Sequence, residues 1–138
     1  MDEEESLRRY GLRPRRARLG EVRALLREQT ERERRAQGEG DTELMKLCCV
    51  QLFNSGEPAD VLLIWAAKQA SFDAACSIDV QLLLGQGFEA TTAQLAAHPS
   101  PLAAAALAHL QELDAMGEFE GFTPEKHSAG YDRYYGEE

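Results

Sequence analysis

Apolar positions along the chain fall at spacings of three and four and almost never alternate with polar ones, the rhythm of helices rather than strands. Leu19, Val22, Leu25 and Leu26 form one stripe and predict a helix over residues 17–36, stopped by Gly38 and Gly40. Asp41 is a credible N-cap for a helix over residues 42–54, whose apolar residues cover too much of the circumference for a surface helix. Gly56 ends it, and Pro58 then opens a helix over residues 58–70, with the apolar run from Val61 to Ala67 around Trp65. Ser71 or Asp73 caps a further helix to about Leu84, ended by Gly85 and Gly87. A short helix over residues 88–98 closes at Pro99. Ser100-Pro101 starts a helix over residues 101–116, and Thr123-Pro124 starts a last one running to about Tyr135. Residues 1–16, broken by Gly11 and Pro14, read as a mobile arm or an irregular lead-in.

Composition agrees with this all-α reading. Val and Ile together number six, while Ala, Leu, Glu and Arg dominate. A chain of 138 residues suggests one domain. The net charge of −9 argues against a simple basic nucleic-acid binder, but it averages two unlike parts. Residues 1–40 hold eleven arginines and nine acids, a balance of +2. Residues 41–138 hold fifteen acids against Lys46, Lys68, Lys126 and Arg133, a balance of −11. The organisation expected is an arginine-rich lead-in and capping helix over 1–40 and an acidic helical-repeat body over 41–138.

Three segments resemble one another: 50–56 (VQLFNSG), 80–87 (VQLLLGQG) and 110–117 (LQELDAMG). Their glutamines recur at 51, 81 and 111, a period of 30, which reads as a helix–turn–helix repeat. Residues 41–125 thus resemble α-hairpin solenoids of the HEAT-like or tetratricopeptide-like kind. The Trp-Leu-Gly-Tyr pattern of tetratricopeptide repeats and the Thr-Pro-Leu-His of ankyrins are both missing. The stretch 60–85 also resembles small bacterial helical proteins, a resemblance that implies no activity. The fold expected is a short right-handed stack of about seven helices, with an irregular helical bundle as the alternative. An excess of arginine over lysine, twelve to three, suits a GC-rich bacterial genome.

The chemistry-bearing residues are few. Cys48, Cys49 and Cys76 lie in apolar stretches and read as buried, reduced thiols. No Cys-x-x-Cys or His-x-x-x-His spacing indicates a metal, and no phosphate loop or serine elbow appears, so no cofactor or metal is expected. Asp79, flanked by Ile78 and Val80, reads as a structural partner of Lys68, or Lys68 pairs with Asp73 instead. Asp60 sits where a helix dipole favours a carboxylate. His98 and His109 are close enough in sequence to approach each other across a turn.

No apolar run is long enough to cross a bilayer, and the acidic start Met-Asp-Glu-Glu-Glu has no apolar signal region, so a cytoplasmic protein is expected. The function expected is a non-enzymatic interaction module, one version being a bacterial immunity or inhibitor protein that binds a basic protein partner. Asp60, Trp65, Asp79, Glu118, Glu120, Tyr131, Arg133, Tyr134 and Tyr135 are its candidate binding residues. The alternatives are nucleic-acid binding through Arg8, Arg9, Arg13, Arg15, Arg16 and Arg18, or an enzyme using Asp79, Lys68 and a histidine. The intramolecular reading of those arginines is that they dock the lead-in on the acidic body.

Overall fold

The computed structural model describes residues 1–136, and these contain helices and no strand. Eight α-helices run in order: α1 Glu3–Tyr10, α2 Leu19–Arg35, α3 Thr42–Ser55, α4 Val61–Lys68, α5 Phe72–Ser77, α6 Phe88–Ala97, α7 Pro101–Ala115 and α8 Pro124–Tyr135. Short 3-10 turns stand at Arg16–Arg18, Pro58–Asp60 and Val80–Leu83. No helix among the described residues is long and apolar enough to cross a membrane.

Helix α3 is the centre. The Asp41 carboxylate accepts from Leu44 N at 3.0 Å and starts it. Gly56, in the left-handed region at φ 69°, closes it by donating to the Leu52 and Phe53 carbonyls. Between those caps every side chain from Leu47 to Phe53 is buried. The all-round apolar pattern therefore describes a helix covered on all sides. Its neighbours are α2, α1, α5, α8 and the Val80–Leu83 turn, elements drawn from both ends of the chain. A solenoid repeat touches mainly its sequence neighbours, and α3 does not behave that way. The three glutamines of the 30-residue period are also inequivalent: Gln51 is buried, Gln81 half-buried on a 3-10 turn, and Gln111 exposed. A regular hairpin stack does not emerge from these contacts.

Two expected elements differ. Residues 3–10, expected as arm or irregular lead-in, form α1. Asp2 caps it, with three glutamates in its first turn and Arg8 and Arg9 in its last, the charge order that a helix macrodipole favours. Residues 71–84, expected as one helix, break after Ser77. Ile78 and Asp79 are extended, and the 3-10 turn comes next. The Lys68 ammonium donates to the Ala75 and Ile78 carbonyls, satisfying the acceptors at the end of α5. The irregular path buries Ile78, Val80, Leu82, Leu83 and Leu84 together, which a single helix would spread around its circumference.

The lead-in shares the core. Leu12, Leu19, Val22 and Leu26 belong to the same apolar cluster as α3 and α4. Its arginines reach body carboxylates: Arg13 to Asp132 at 2.8 Å, Arg16 to Glu57 at 3.2 Å and Arg23 to Asp60 at 2.7 Å. Buried Glu33 ties the end of α2 to the loop before α3 and to the start of α5, accepting from Gly38 N, Gly40 N and the Ser71 hydroxyl. Those hydrogen bonds, the Ser71 one foremost, hold its carboxyl below the usual range although no cation is paired with it among the described residues. Ser71 caps α5 by accepting from Ala74 N, while Asp73 is exposed.

Candidate functional site

Helix α8 begins where Thr123 accepts from Lys126 N at 3.1 Å with Pro124 in the first turn. That start sets its register. His127, Tyr131 and Tyr135 fall four apart and share the face turned to α3. The His127 ring stands edge-on to Phe53 at 5.7 Å and to Tyr131 at 5.2 Å, and 5.7 Å from the Phe122 ring. Asp79 arrives from the break after α5. The Tyr131 hydroxyl donates to Asp79 Oδ2, and His127 Nε2 lies 3.6 Å from the same oxygen, beyond hydrogen-bonding distance. The neighbouring imidazole, then the Tyr131 hydroxyl, hold Asp79 below the usual carboxylate range against the opposing effect of burial. Burial, reinforced by Asp79, pushes the Tyr131 phenol upward, so its hydroxyl keeps its proton.

This cluster floors an open cleft of about 280 Å³ lined by Lys46, Asp79, Lys126, His127, Gly130, Tyr131 and Tyr134. The Lys46 ammonium lies 4.6 Å above the Tyr134 ring and 5.6 Å from that of Tyr131. A second cleft, about 270 Å³, adjoins it through Lys126 and His127 and adds Gln81, Glu118, Glu120, Gly121, Phe122 and Thr123. One half is thus aromatic and the other acidic. Neither lining contains serine or cysteine, and the Thr123 hydroxyl is engaged as the α8 cap. Lys46 and Lys126 stand with Asp79 in the first lining, and Lys126 with Glu118 and Glu120 in the second.

The candidate residues divide clearly. Asp79, Glu118, Glu120, Tyr131 and Tyr134 line the paired clefts. Arg133 is exposed beside them on α8, and Tyr135 is half-buried with its hydroxyl unpartnered among the described residues. Asp60 lies elsewhere, buried in a two-point pair with Arg23. Trp65 is core, packed on His109 at 5.4 Å. The expected contacts of Lys68 with Asp79 or Asp73 are not hydrogen bonds or ion pairs of this structure, because Lys68 is used by two backbone carbonyls. Burial lowers the Lys68 ammonium from its ordinary value, and Asp79 opposes that from beyond ion-pair distance. His98 is exposed, and His109 is taken by Trp65. Cys76 is exposed rather than buried. Burial raises the Cys48 thiol to about 12 and the Cys49 thiol well above its ordinary value.

Sequence reasoning alone misses His127 and Lys46. The signal present was the i, i+4 spacing of His127, Tyr131 and Tyr135, which places an imidazole within an aromatic face. Of the six arginines in the nucleic-acid alternative, five have a carboxylate partner: Arg8 with Glu4, Arg9 with Glu5, Arg13 with Asp132, Arg16 with Glu57 and Arg18 with Glu21. Arg15 has none among the described residues. Among the described residues, no three His, Cys, Asp or Glu side chains converge as a metal site. No protein-family model, curated protein or solved structure matches the chain.

Proposed function

We propose that the protein is a non-enzymatic interaction module, an irregular helical bundle whose paired clefts dock a basic segment of a partner protein. One observation carries the reading. Residues 112–125 expose Glu112, Asp114, Glu118, Glu120 and Glu125, and none of the five is in an ion pair among the described residues. The arginines neutralise carboxylates elsewhere, at Glu57, Asp60 and Asp132. Glu112 and Asp114 also stand near the C-terminus of α7, where the helix dipole opposes negative charge at about 0.3–1 kcal/mol each.

Tyr134, 64% exposed beside Asp79, supplies the aromatic anchor such a surface needs. Exposed Met116 extends the apolar component among the acids. An inhibitor of a basic bacterial toxin is the concrete version of this function. A reducing cytoplasmic setting suits three free cysteines, one of them exposed. The test is fluorescence anisotropy with a labelled Lys/Arg-rich peptide. E118Q/E120Q and Tyr134→Ala should each weaken binding by about fivefold to tenfold at low salt. Equal binding by the wild type and both variants overturns the proposal.

A further inference from the structure

The segment joining α1 to α2 is irregular, yet it is fixed from beneath. Gln51 Nε2, in the buried face of α3, donates to the Gly11 carbonyl at 2.8 Å. Asn54 Nδ2 donates to the Leu12 carbonyl at 2.8 Å, and Asn54 Oδ1 accepts from the Ser128 hydroxyl. Two amides of the central helix thus hold a segment whose outward side chains include Arg13, Arg15 and Arg16. Above it lies a cleft of about 380 Å³ lined by Arg9, Tyr10, Arg13, Arg15 and Arg18, with no acid in its wall.

Two of these guanidinium groups are already positioned. Asp132 grips Arg13 at 2.8 and 3.1 Å, with Ser128 accepting from the same side chain at 2.9 Å. Glu21 grips Arg18 at 2.5 and 3.2 Å, and the Arg18 guanidinium lies 5.0 Å over the Tyr10 ring. The Tyr10 hydroxyl donates to Glu21 in turn. The other two have donors to spare: Arg9 approaches Glu5 only to 3.9 Å, and Arg15 has no ion pair among the described residues. Four guanidinium groups are set against three partner carboxylates, those of Glu5, Glu21 and Asp132, leaving a local positive surplus in a chain of net charge −9. Arginine forks match the oxygens of phosphate two at a time.

We propose that this arginine cleft binds a phosphate-type oxyanion, the di- or triphosphate end of a small molecule. The volume is within the range of small-ligand sites, roughly 300–1,000 Å³, and exceeds what one phosphate fills. A nucleic-acid strand is the poorer occupant. Arg16, outside the cleft, is paired with Glu57 at 3.2 Å, and the neighbouring body is acidic.

The experiment is calorimetric titration of the full chain at low salt with orthophosphate, pyrophosphate, tripolyphosphate and oligothymidylate. The variants are R9A/R15A, which removes the two arginines that do not tether the fold, and R27A/R34A, an equal charge change at exposed arginines outside the cleft. Saturable binding that strengthens from orthophosphate to tripolyphosphate is expected. It should weaken about tenfold or more in R9A/R15A and by less than about twofold in R27A/R34A. The proposal is overturned if tripolyphosphate does not saturate or if both variants lose equally. It is also overturned if oligothymidylate binds more tightly than tripolyphosphate.

Discussion

Replacing Arg23 with methionine tests how the arginine-rich lead-in is fastened to the acidic body. The Arg23 guanidinium donates to both oxygens of Asp60, at 2.7 and 3.0 Å. The Asp60 side chain is only 6% exposed and that of Arg23 27%. Methionine keeps the apolar stem and removes the charge, so the carboxylate stays in place without its cation. Stripping one partner from a buried pair costs about 3–5 kcal/mol. Water reaches the Arg23 side, and Asp60 lies at the start of α4, where the helix dipole returns about 0.3–1 kcal/mol. The expected loss is therefore about 2–3 kcal/mol, or roughly 8–12 °C in Tm for a chain of this size. The control is Arg32→Met, which breaks the Arg32–Glu28 pair at side-chain exposures of 49% and 55% and should cost about 0.2–1 kcal/mol. Urea unfolding followed by circular dichroism measures all three proteins. A second replacement, Asp60→Leu on the Arg23→Met background, should recover part of the loss, because an apolar pair carries no stranded charge. If R23M loses no more than R32M, or if the double variant is worse than the single, the Arg23–Asp60 pair does not fasten the lead-in to the body.

Local geometry and charge set two further outcomes. A Cβ on Gly40 would lie 2.7 Å from the Gln29 carbonyl oxygen, and one on Gly85 would lie 2.7 Å from that of Phe53. Gly40→Ala and Gly85→Ala should each lower stability by about 1–3 kcal/mol in the same unfolding assay, whereas Gly20→Ala, in open space within α2, should raise it by about 0.5–1 kcal/mol. The folded Asp79 carboxyl is held below its unfolded value, first by His127. It therefore adds stability that is fully present above the unfolded carboxylate value and is lost as pH falls through the depressed folded one. Asp79→Asn should accordingly flatten the acid limb of the stability-against-pH curve; an unaltered acid limb would show that Asp79 does not contribute to it.

What can be read from sequence is whatever is decided within one turn of chain. Asp41, Ser100-Pro101 and Thr123-Pro124 start helices because a cap bonds to an amide three residues on, and all three do so. The covered circumference of α3 is legible because seven consecutive buried residues leave no polar face. The charge order of Glu3, Glu4, Glu5, Arg8 and Arg9 is just as local, but in sequence it reads equally as part of a charged arm. Long-range bonds are not legible. Lys68 satisfies carbonyls seven and ten residues away where the expected 71–84 helix breaks, and carbonyls carry no sequence signature. Asp79 meets Tyr131 from 52 residues away, a hydrogen bond that nothing near Asp79 in sequence announces. The i, i+4 spacing of His127, Tyr131 and Tyr135 is legible, but the partners that give His127 its place, Phe53 and Asp79, lie on other elements and are not.

Helix α8 joins the two proposed sites. His127 and Tyr131 line the aromatic cleft, while Ser128 and Asp132, about 100° further round the same helix, hold Arg13 at the arginine cleft. Asn54 bridges inward, accepting from Ser128 and donating to the Leu12 carbonyl. The α8 register set by the Thr123 cap therefore fixes both the ring face lining the aromatic cleft and the carboxylate that grips Arg13. The net charge of −9 conceals this arrangement: it sums a surface that is acidic at residues 112–125 with a cleft that is cationic at residues 9–18. The two are kept apart by the bonds that tie each to α8 and α3, and separate substitutions should silence them independently, E118Q/E120Q one and R9A/R15A the other.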